Sequence, residues 1–483
     1  MKAKSLKINS VINIIKTILG IIFPLITFPY ASRILGVSGI GKVDYAYSVA
    51  NYFVLFAELG ISTYTVREGA KVRDDRDKLN QLGSEIVLIN TISTVIAYSG
   101  LIFCSFIPAF RPYQRLLLLF GTTMIFNLIG INWLFNIFED YIYITVRTFI
   151  FQILSLAALF LFVRTKEDYM IYAGLMVFSS VGSSIFNFFY GRKYIHLFGY
   201  SHYCLKKHLK PILIIFGMGI ASQIYLNMDT TMIGFLKGDE EVGLYSAAVK
   251  INRTLGSLIS SACAVLIPRL SYYIKNGLRT EYKSLVHTAI NYIMCMTIPC
   301  TFGLILLSQE VILLFSGEGF SGAVPVMRIL GPNIIFSVIN GFLVYQIFIP
   351  YDREKDTLSA TVMGAVVNVI LNYILILPYG AGGAAIATVI AEMSVYAVLK
   401  IKMKHFYQDK TLYGEIWKYF AAGFIMFFVG TAVKGLRFGI IAEIFVVVTI
   451  CIVVYFAVLW LLKARLATEM FEMLRKCGMR QKK

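Results

Sequence analysis

Residues 440–462 read IIAEIFVVVTICIVVYFAVLWLL, a stretch in which Glu443 is the single charged residue. A helix needs about 20 apolar residues to cross the hydrocarbon core of a bilayer, so this stretch predicts a transmembrane helix. Similar stretches follow one another from residue 8 onward, and only 15% of the 483 residues are charged. The chain is therefore predicted to be an all-α polytopic membrane protein with about fourteen transmembrane helices. The predicted spans are 8–30, 43–66, 83–107, 114–137, 142–163, 170–190, 211–236, 243–268, 284–308, 327–350, 357–378, 383–399, 416–433 and 440–462.

Lys and Arg are unevenly distributed between the two sides of the membrane that these spans define. About three times as many lie on the side of the two termini as on the opposite side. Cytoplasmic loops are enriched in Lys and Arg, so both termini are predicted to lie in the cytoplasm. The net charge of +18 is explained by these loops, and no nucleic-acid partner is predicted.

The residues between the spans disfavour other classes of function. The seven cysteines form no Cys-x-x-Cys pair and have no His at metal-binding spacing, so no metal site is predicted. The segments on the outer side are too short for a large external catalytic loop. Movement of a substrate across the membrane is therefore a better expectation than enzymatic catalysis.

Two segments of the chain are similar at a constant offset. Residues 33–48 read RILGVSGIGKVDYAYS, and residues 234–250 read GFLKGDEEVGLYSAAVK. A shift of 202 residues superposes three pairs: Gly36 on Gly238, Gly41 on Gly243, and Arg67 on Arg269. The shift covers six predicted helices, an even number, so the repeat is parallel in the membrane; chance similarity of glycine-rich turns is the alternative. We predict two six-helix lobes and two appended helices with a basic tail, at 1–210, 211–410 and 411–483.

Three stretches of the chain resemble a known family. Residues 29–73 (PYASRILGVSGIGKVDYAYSVANYFVLFAELGISTYTVREGAKVR) resemble the N-terminal signature of the O-antigen and capsule oligosaccharide flippases. Residues 238–271 (GDEEVGLYSAAVKINRTLGSLISSACAVLIPRLS) and 378–392 (PYGAGGAAIATVIAE) resemble the second-half signatures of the same family. The likeness covers nearly the whole chain in length, span number and repeat layout. The superfamily also contains lipid II flippases and multidrug antiporters.

The resemblance implies a V-shaped pair of lobes that alternates access. The implied cargo is an undecaprenyl-pyrophosphate-linked oligosaccharide, turned from the cytoplasmic to the outer leaflet of a bacterial inner membrane for O-antigen or capsule synthesis. The chain would then be no enzyme. Besides this cargo, its implied partners are membrane lipids and, as candidates, a polysaccharide polymerase and a chain-length regulator. Lipid II flippases carry an Arg-Asp pair where this chain has Thr27 and Phe28, which argues against lipid II as the cargo.

Three cations inside predicted spans are candidates for binding the pyrophosphate. A charged side chain at the bilayer centre costs roughly 2.5–3.5 kcal/mol and usually faces a cavity or a partner. Lys16 lies in the first span, and Lys250 and Arg253 lie three residues apart on one face of the eighth. A pyrophosphate needs such compensating cations in a low-dielectric interior. The alternatives are salt bridges between helices or, for Lys250, snorkelling toward the interface.

Four acidic residues are candidates for ion coupling or for charge pairing: Asp44, Glu58, Asp229 and Glu392. Asp44 and Glu58 also sit where the lipid II flippases carry acidic residues in the second span. A carboxylate in a poorly hydrated cavity can carry a coupling H⁺ or Na⁺, but pairing with a nearby cation is the favoured interpretation. No other cofactor is predicted. The charged residues near span ends are interpreted mostly as interfacial: Asp44, Glu85, Arg147, Lys418 and Glu443.

Two other classes of function are compatible with a polytopic membrane protein. A multidrug or cation antiporter of the same fold should favour acidic residues in its cavity, whereas Lys16, Lys250 and Arg253 offer cations. An integral-membrane glycosyltransferase or polymerase should show an acidic sugar-nucleotide motif on a cytoplasmic loop or a large outer loop, and neither is found. The sequence therefore favours the flippase.

Overall fold

The computed structural model describes residues 6–197, 203–264, 266–409, 411–434 and 439–466, and it leaves the side chains of residues 6–19, 21, 218 and 262–264 undescribed. The described residues form helices and turns, with no strand among them. The helices up to residue 237 are α1 (Leu6–Glu58), α2 (Ile61–Val72), α3 (Arg76–Ser105), α4 (Gln114–Gly130), α5 (Asn132–Ile137), α6 (Tyr141–Phe162), α7 (Tyr169–Val181), α8 (Ser184–Gly191) and α9 (Lys206–Lys237). The helices after it are α10 (Asp239–Ala264), α11 (Ile267–Lys275), α12 (Arg279–Leu306), α13 (Ser308–Ser316), α14 (Ala323–Leu330), α15 (Asn333–Phe342), α16 (Glu354–Met403), α17 (Ile416–Lys434) and α18 (Ile440–Leu461).

Ten segments of the described chain are long and apolar enough to cross a membrane. Two of them, Ile22–Val72 and Glu354–Met403, contain a non-helical glycine at which one helix ends and a second begins. The α4–α5 pair and α10 cover the remaining predicted spans. The predicted all-α polytopic fold is thus confirmed, and its helices agree with about fourteen passes.

The long helices α1 and α16 are each interrupted at a glycine with positive φ. Gly380 has φ 53° and ψ −131°, and a Cβ on Gly383 would overlap the carbonyl oxygen of Leu375. A straight helix would keep these two residues about 12 Å apart, so the chain doubles back at Gly380. Gly36 (φ 70°, ψ −178°) and Gly238 (φ 86°, ψ −171°) share one geometry that favours glycine.

The two turns that the predicted repeat relates contact each other reciprocally. A Cβ on Gly41 would overlap the backbone carbonyl of Asp239, and a Cβ on Gly243 would overlap the carbonyl of Val37. Gly41 and Gly243 are related by the shift of 202 residues, and so are Val37 and Asp239. The contact is therefore symmetric, and this symmetry agrees with the predicted repeat at these positions.

The first of these turns also matches a phosphate-loop pattern. Residues 36–42 read GVSGIGK, a Gly-x-x-x-x-Gly-Lys sequence, but Val43 stands where a phosphate loop carries Ser or Thr. The turn joins two helical arms of α1, whereas a phosphate loop joins a strand to a helix. The glycines of this segment are explained by the turn and by close helix packing.

The chain divides into two compact units, Met1–Gly243 and Leu244–Lys483. In the first unit, α9 packs against α1: the Thr231 hydroxyl donates to Ser48 Oγ at 3.0 Å, and the Tyr52 hydroxyl lies 3.5 Å from Met228 Sδ. The lobe boundaries predicted at residues 210 and 410 stay a prediction.

Both units expose large apolar side chains. Phe103 and Phe186 in the first unit are 76% and 62% exposed, and Ile441 and Phe445 in the second are 73% and 72% exposed. Apolar surface on this scale is unusual for a protein in water and is expected for one surrounded by lipid tails. The chain is a multi-pass membrane protein.

Candidate functional site

Helix α10 carries two of the predicted cations on its more exposed face. Arg253 is exposed and Lys250 is half-buried, and the exposed Ser257 and Ser261 continue the same face at intervals of four residues. We call these four residues the α10 stripe. On the opposite face Ala248 is fully buried. Charged and polar side chains that face lipid tails lose their hydration at a cost in free energy. The stripe is therefore better suited to lining a hydrated space inside the protein.

Polar contacts within the second unit fix the buried face of α10. The Asn252 amide donates to the Leu330 carbonyl at 2.7 Å and accepts from the Asn333 amide at 3.1 Å. The Tyr245 and Thr388 hydroxyls lie 3.0 Å apart. Buried polar networks of this kind rigidify a helix, and they hold the stripe on the other face. Both cations of the stripe also interact with other groups of the protein.

The structure places the other predicted residues in different surroundings. Lys16 lies in α1, but its side chain is outside the described residues. Asp44 and Asp229 are buried, at 7% and 2% exposure, and both have interaction partners. Of the predicted residues, Lys250 and Arg253 therefore lie together on one face of a helix, and their role in binding stays a prediction.

Glu58 forms a carboxylate–amide pair in the first unit. Its carboxylate accepts a hydrogen bond of 2.7 Å from the Asn127 amide, and it makes no ion pair within the described part of the chain. Helix α1 ends at Glu58 because Leu59 and Gly60 adopt left-handed conformations, with φ 47° and 73°. Ile215 lies 2.6 Å from where a Cβ on Gly60 would be. The continuous span predicted over 43–66 is thus divided into two helices.

Glu392 forms a similar pair in the second unit. The Asn340 amide donates to the Glu392 carboxylate at 2.6 Å and to its backbone carbonyl at 3.0 Å. Asn340 lies near the end of α15, just before the π-helical segment Leu343–Phe348. Such π segments occur frequently at functional sites. Each unit therefore holds a carboxylate paired with an asparagine inside the membrane region.

Three of the residues near span ends, which are interpreted from the sequence mostly as interfacial, are wholly or partly buried within the protein. Glu85 has no exposed surface, Asp44 is 7% exposed, and Arg147 packs between two rings. Glu85 lies on α3, which begins at Arg76, and its carboxylate is covered by the groups of Cys204, Lys207 and His208 that bind it. Position along the sequence does not reveal which side of a helix faces the protein.

Arg147 is a residue whose surroundings the sequence analysis missed. Its guanidinium donates to Asn132 Oδ1 at 2.6 Å and lies 5.5 and 5.4 Å from the ring centroids of Phe135 and Tyr143. Two further nitrogens, Nε and Nη1, are buried without a hydrogen-bond acceptor among the described residues. A buried donor without a hydrogen-bond partner lowers the stability of the protein. Arg147 can therefore donate these hydrogen bonds to an anionic group or to water. The position of Arg147 inside the predicted span 142–163 was the sequence signal from which its burial could have been inferred.

An apolar cavity of about 490 Å³ adjoins α10 in the second unit. Helices α12 and α18 form most of it, with Pro299 and Ile452 among the lining side chains, and Met426 of α17 and Leu255 of α10 also line it. Leu255 is two residues from Arg253, so an apolar compartment and a cationic face share one helix. Within the described residues, no cluster of three or more His, Cys, Asp or Glu side chains could hold a metal ion.

The family model described as polysaccharide biosynthesis protein matches residues 6–274, more than half of the chain. The chain belongs to this family. A second model, described as MatE, matches residues 211–374. The superfamily membership predicted from the sequence is confirmed.

Individual proteins agree with this assignment. A protein of Escherichia coli K12 named an O-antigen transporter is 23% identical over 387 residues, 78% of this chain and 92% of the relative. A solved lipid II flippase superposes with a TM-score of 0.76 at 19% identity, covering 95% of this chain and 99% of the other. A multidrug transporter of the MATE family superposes at 0.59 with 14% identity, covering 79% and 95%. At these identities the solved structures establish the fold.

Proposed function

We propose that this protein is a flippase for undecaprenyl-pyrophosphate-linked oligosaccharide repeat units. It moves them from the inner to the outer leaflet of a bacterial inner membrane by alternating access, for the synthesis of O-antigen or capsule. Membership of the polysaccharide biosynthesis family and similarity to a protein named an O-antigen transporter support this class of cargo. The observation that carries the proposal is the α10 stripe, a cationic and polar face in an otherwise apolar membrane protein.

The stripe suits the headgroup of this cargo. Arg253 can hold a phosphate through two parallel N–H donors, and Lys250 adds a point charge three residues away. Ser257 and Ser261 supply hydroxyls that can bind sugar or phosphate oxygens. Lys16 is the third proposed contact. The cations compensate a multiply charged group that would otherwise not enter a low-dielectric region.

The apolar cavity suits the lipid part of the same cargo. A polyprenyl chain is apolar, and the cavity is lined mainly by apolar side chains of α12 and α18. Leu255 brings this cavity to the helix that carries Arg253. Headgroup and chain can therefore be bound by neighbouring parts of the second unit.

The carboxylates are proposed to serve charge pairing or ion coupling. Glu58 and Glu392 each accept a hydrogen bond from an asparagine amide, which does not neutralise their charge. A carboxylate so placed can take up a proton or a sodium ion during transport. Asp44 and Asp229 are buried among interaction partners and fit charge pairing better.

Deletion of the gene tests the function in the cell. Loss of surface polysaccharide together with accumulation of completed lipid-linked repeat units is expected, because assembly continues on the inner leaflet and the cargo does not cross. Polysaccharide polymerase and chain-length regulator, the proposed partners, would then lack substrate. Unchanged polysaccharide with altered drug sensitivity would instead favour the antiporter.

The Arg253→Ala variant, expressed in the deletion strain, tests whether the α10 stripe binds the headgroup. We expect normal protein levels in the membrane and export reduced at least tenfold, about 1.4 kcal/mol, because a charge-assisted contact to phosphate is lost. Arg269→Ala is the matched control, since Arg269 is exposed on α11 and lies over the ring of Tyr273, away from the stripe. Normal export by Arg253→Ala would contradict the assignment of the stripe.

A further inference from the structure

In the first unit, a fully buried carboxylate holds the segment that leads into α9. Glu85 of α3 accepts hydrogen bonds from Lys207 Nζ at 2.9 Å, His208 Nε2 at 2.7 Å and the backbone N–H of Cys204 at 2.8 Å. The other ring nitrogen of His208 lies 2.7 Å from the Tyr64 hydroxyl. Residues 203–208, the first exit segment, are thereby bound to α2 and α3.

In the second unit, an imidazole holds the segment that follows α16. His287 of α12 lies 2.8 Å from Asp409 Oδ2, and the same carboxylate accepts from the backbone N–H and hydroxyl of Thr411 at 3.0 and 2.7 Å. Burial raises the pKa of Asp409, but the hydrogen bonds from Thr411 and His287 outweigh burial and lower the pKa to about 2. Residues 404–409, the second exit segment, are thereby bound to α12.

The two contacts occupy positions related by the internal repeat. The shift of 202 residues that superposes Gly36 on Gly238 also superposes Glu85 on His287 and Lys207 on Asp409. In the first unit the helix supplies the carboxylate and the exit segment supplies the cation. In the second unit the helix supplies the imidazole and the exit segment supplies the carboxylate. The pairing is preserved while its polarity is inverted.

We propose that these pairs are two equivalent anchors, each of which keeps an exit segment fixed to its own half of the protein. Both anchors join the predicted third helix of a half to the segment just after its sixth helix. The carboxylate of Glu85 has no exposed surface, and the side chain of Asp409 is 7% exposed, so in the attached state each carboxylate is held by its protein partners in place of water. The inverted polarity makes each segment specific, because Asp409 facing a carboxylate such as Glu85 would be repelled.

Charge reversal in each anchor tests the proposal on the full-length protein in detergent. Lys207→Glu places a second carboxylate against Glu85, and His287→Glu places one against Asp409. Each variant should lower the unfolding temperature and speed chymotrypsin cleavage about tenfold, at Tyr203 or Leu205 in the first segment and at Phe406 or Tyr407 in the second. Neutralising the partner as well, with Glu85→Gln or Asp409→Asn, should restore most of the protection.

Lys206→Glu is the matched control for the first anchor. It makes the same charge change at the neighbouring exposed residue and should leave both readouts unchanged. The anchors would be refuted by single reversals that behave like this control, or by double variants that gain no protection. If the reversals do not fold, Glu85→Gln and Asp409→Asn alone are compared by the same digestion. Cleavage rates equal to wild type would then overturn the proposal.

Discussion

At the scale of single residues, some charged side chains inside the membrane region have hydrogen-bond partners, and others keep hydrogen-bonding groups without a partner in the described part of the chain. Glu58 and Glu392 have asparagine partners, and Glu85 is bound by four donors. Arg147 keeps two buried nitrogens without an acceptor among the described residues. Since an unsatisfied buried charge costs stability, Arg147 is the residue for which a role in transport best explains the arrangement.

Arg147→Met tests this interpretation. Replacing a buried ion by an apolar side chain of similar volume is often neutral or stabilises a protein by about 1–4 kcal/mol. We therefore expect an unchanged or higher unfolding temperature together with reduced export. A variant that unfolds at a lower temperature would show that Arg147 serves the fold instead, and Arg147→Lys, which keeps the charge, is the companion control.

Glu58→Gln tests the proposed coupling role of the carboxylate. Glutamine can still accept the hydrogen bond from Asn127, so membrane level and unfolding temperature should stay normal. Export should fall about tenfold or more, because a neutral amide cannot take up a proton, and it should lose its dependence on external pH. Export with unchanged rate and unchanged pH dependence would assign Glu58 to packing alone.

At the scale of helices, the sequence predicted the spans well and their interruptions poorly. Apolar length gives the number of passes, and the glycine pattern gives the paired turns at Gly36 and Gly238. The break at Leu59–Gly60 and the π segment after α15 depend on tertiary packing, which no local pattern reveals. The same holds for the candidate site, where Lys250 and Arg253 are readable by their spacing, whereas the burial of Glu85 requires the fold.

Gly243→Ala tests the close contact between the repeated turns. The added methyl group would overlap the Val37 carbonyl, so we expect a loss of about 1–3 kcal/mol in stability and a lower membrane level. Gly41→Ala should have a similar effect through Asp239, because the contact is reciprocal. Gly303→Ala is the control, since nothing lies within 4 Å of its Cβ position and helix propensity favours alanine. Equal stability of all three variants would contradict the contact.

At the scale of the whole molecule, the chain is an all-α membrane protein of two units with a parallel internal repeat. Each unit contains a carboxylate–asparagine pair, and the anchors of the two units lie at repeat-related positions, while the cationic stripe belongs to the second unit. This difference between the two units is expected if a common scaffold was duplicated and one copy retained most of the proposed headgroup contacts.

The predicted orientation is tested with reporter fusions. Alkaline phosphatase fused after Lys166 should be active, because the excess of Lys and Arg in the other loops places this segment outside. The same enzyme fused after Lys193 should be inactive, and green fluorescent protein at the C-terminus should fluoresce. Activity at Lys193 with inactivity at Lys166 would reverse the orientation, and with it the proposed direction of transport.

Transport by the purified protein tests the central claim most directly. Proteoliposomes containing an undecaprenyl-pyrophosphate-linked oligosaccharide are prepared with the wild type, Arg253→Ala or Arg269→Ala, and the oligosaccharide exposed on each leaflet is measured with a membrane-impermeant probe. We predict that the wild type and Arg269→Ala move the oligosaccharide between leaflets, and that Arg253→Ala moves it at least about tenfold more slowly. Movement no faster than in protein-free vesicles, or equal movement by all three proteins, would contradict the account.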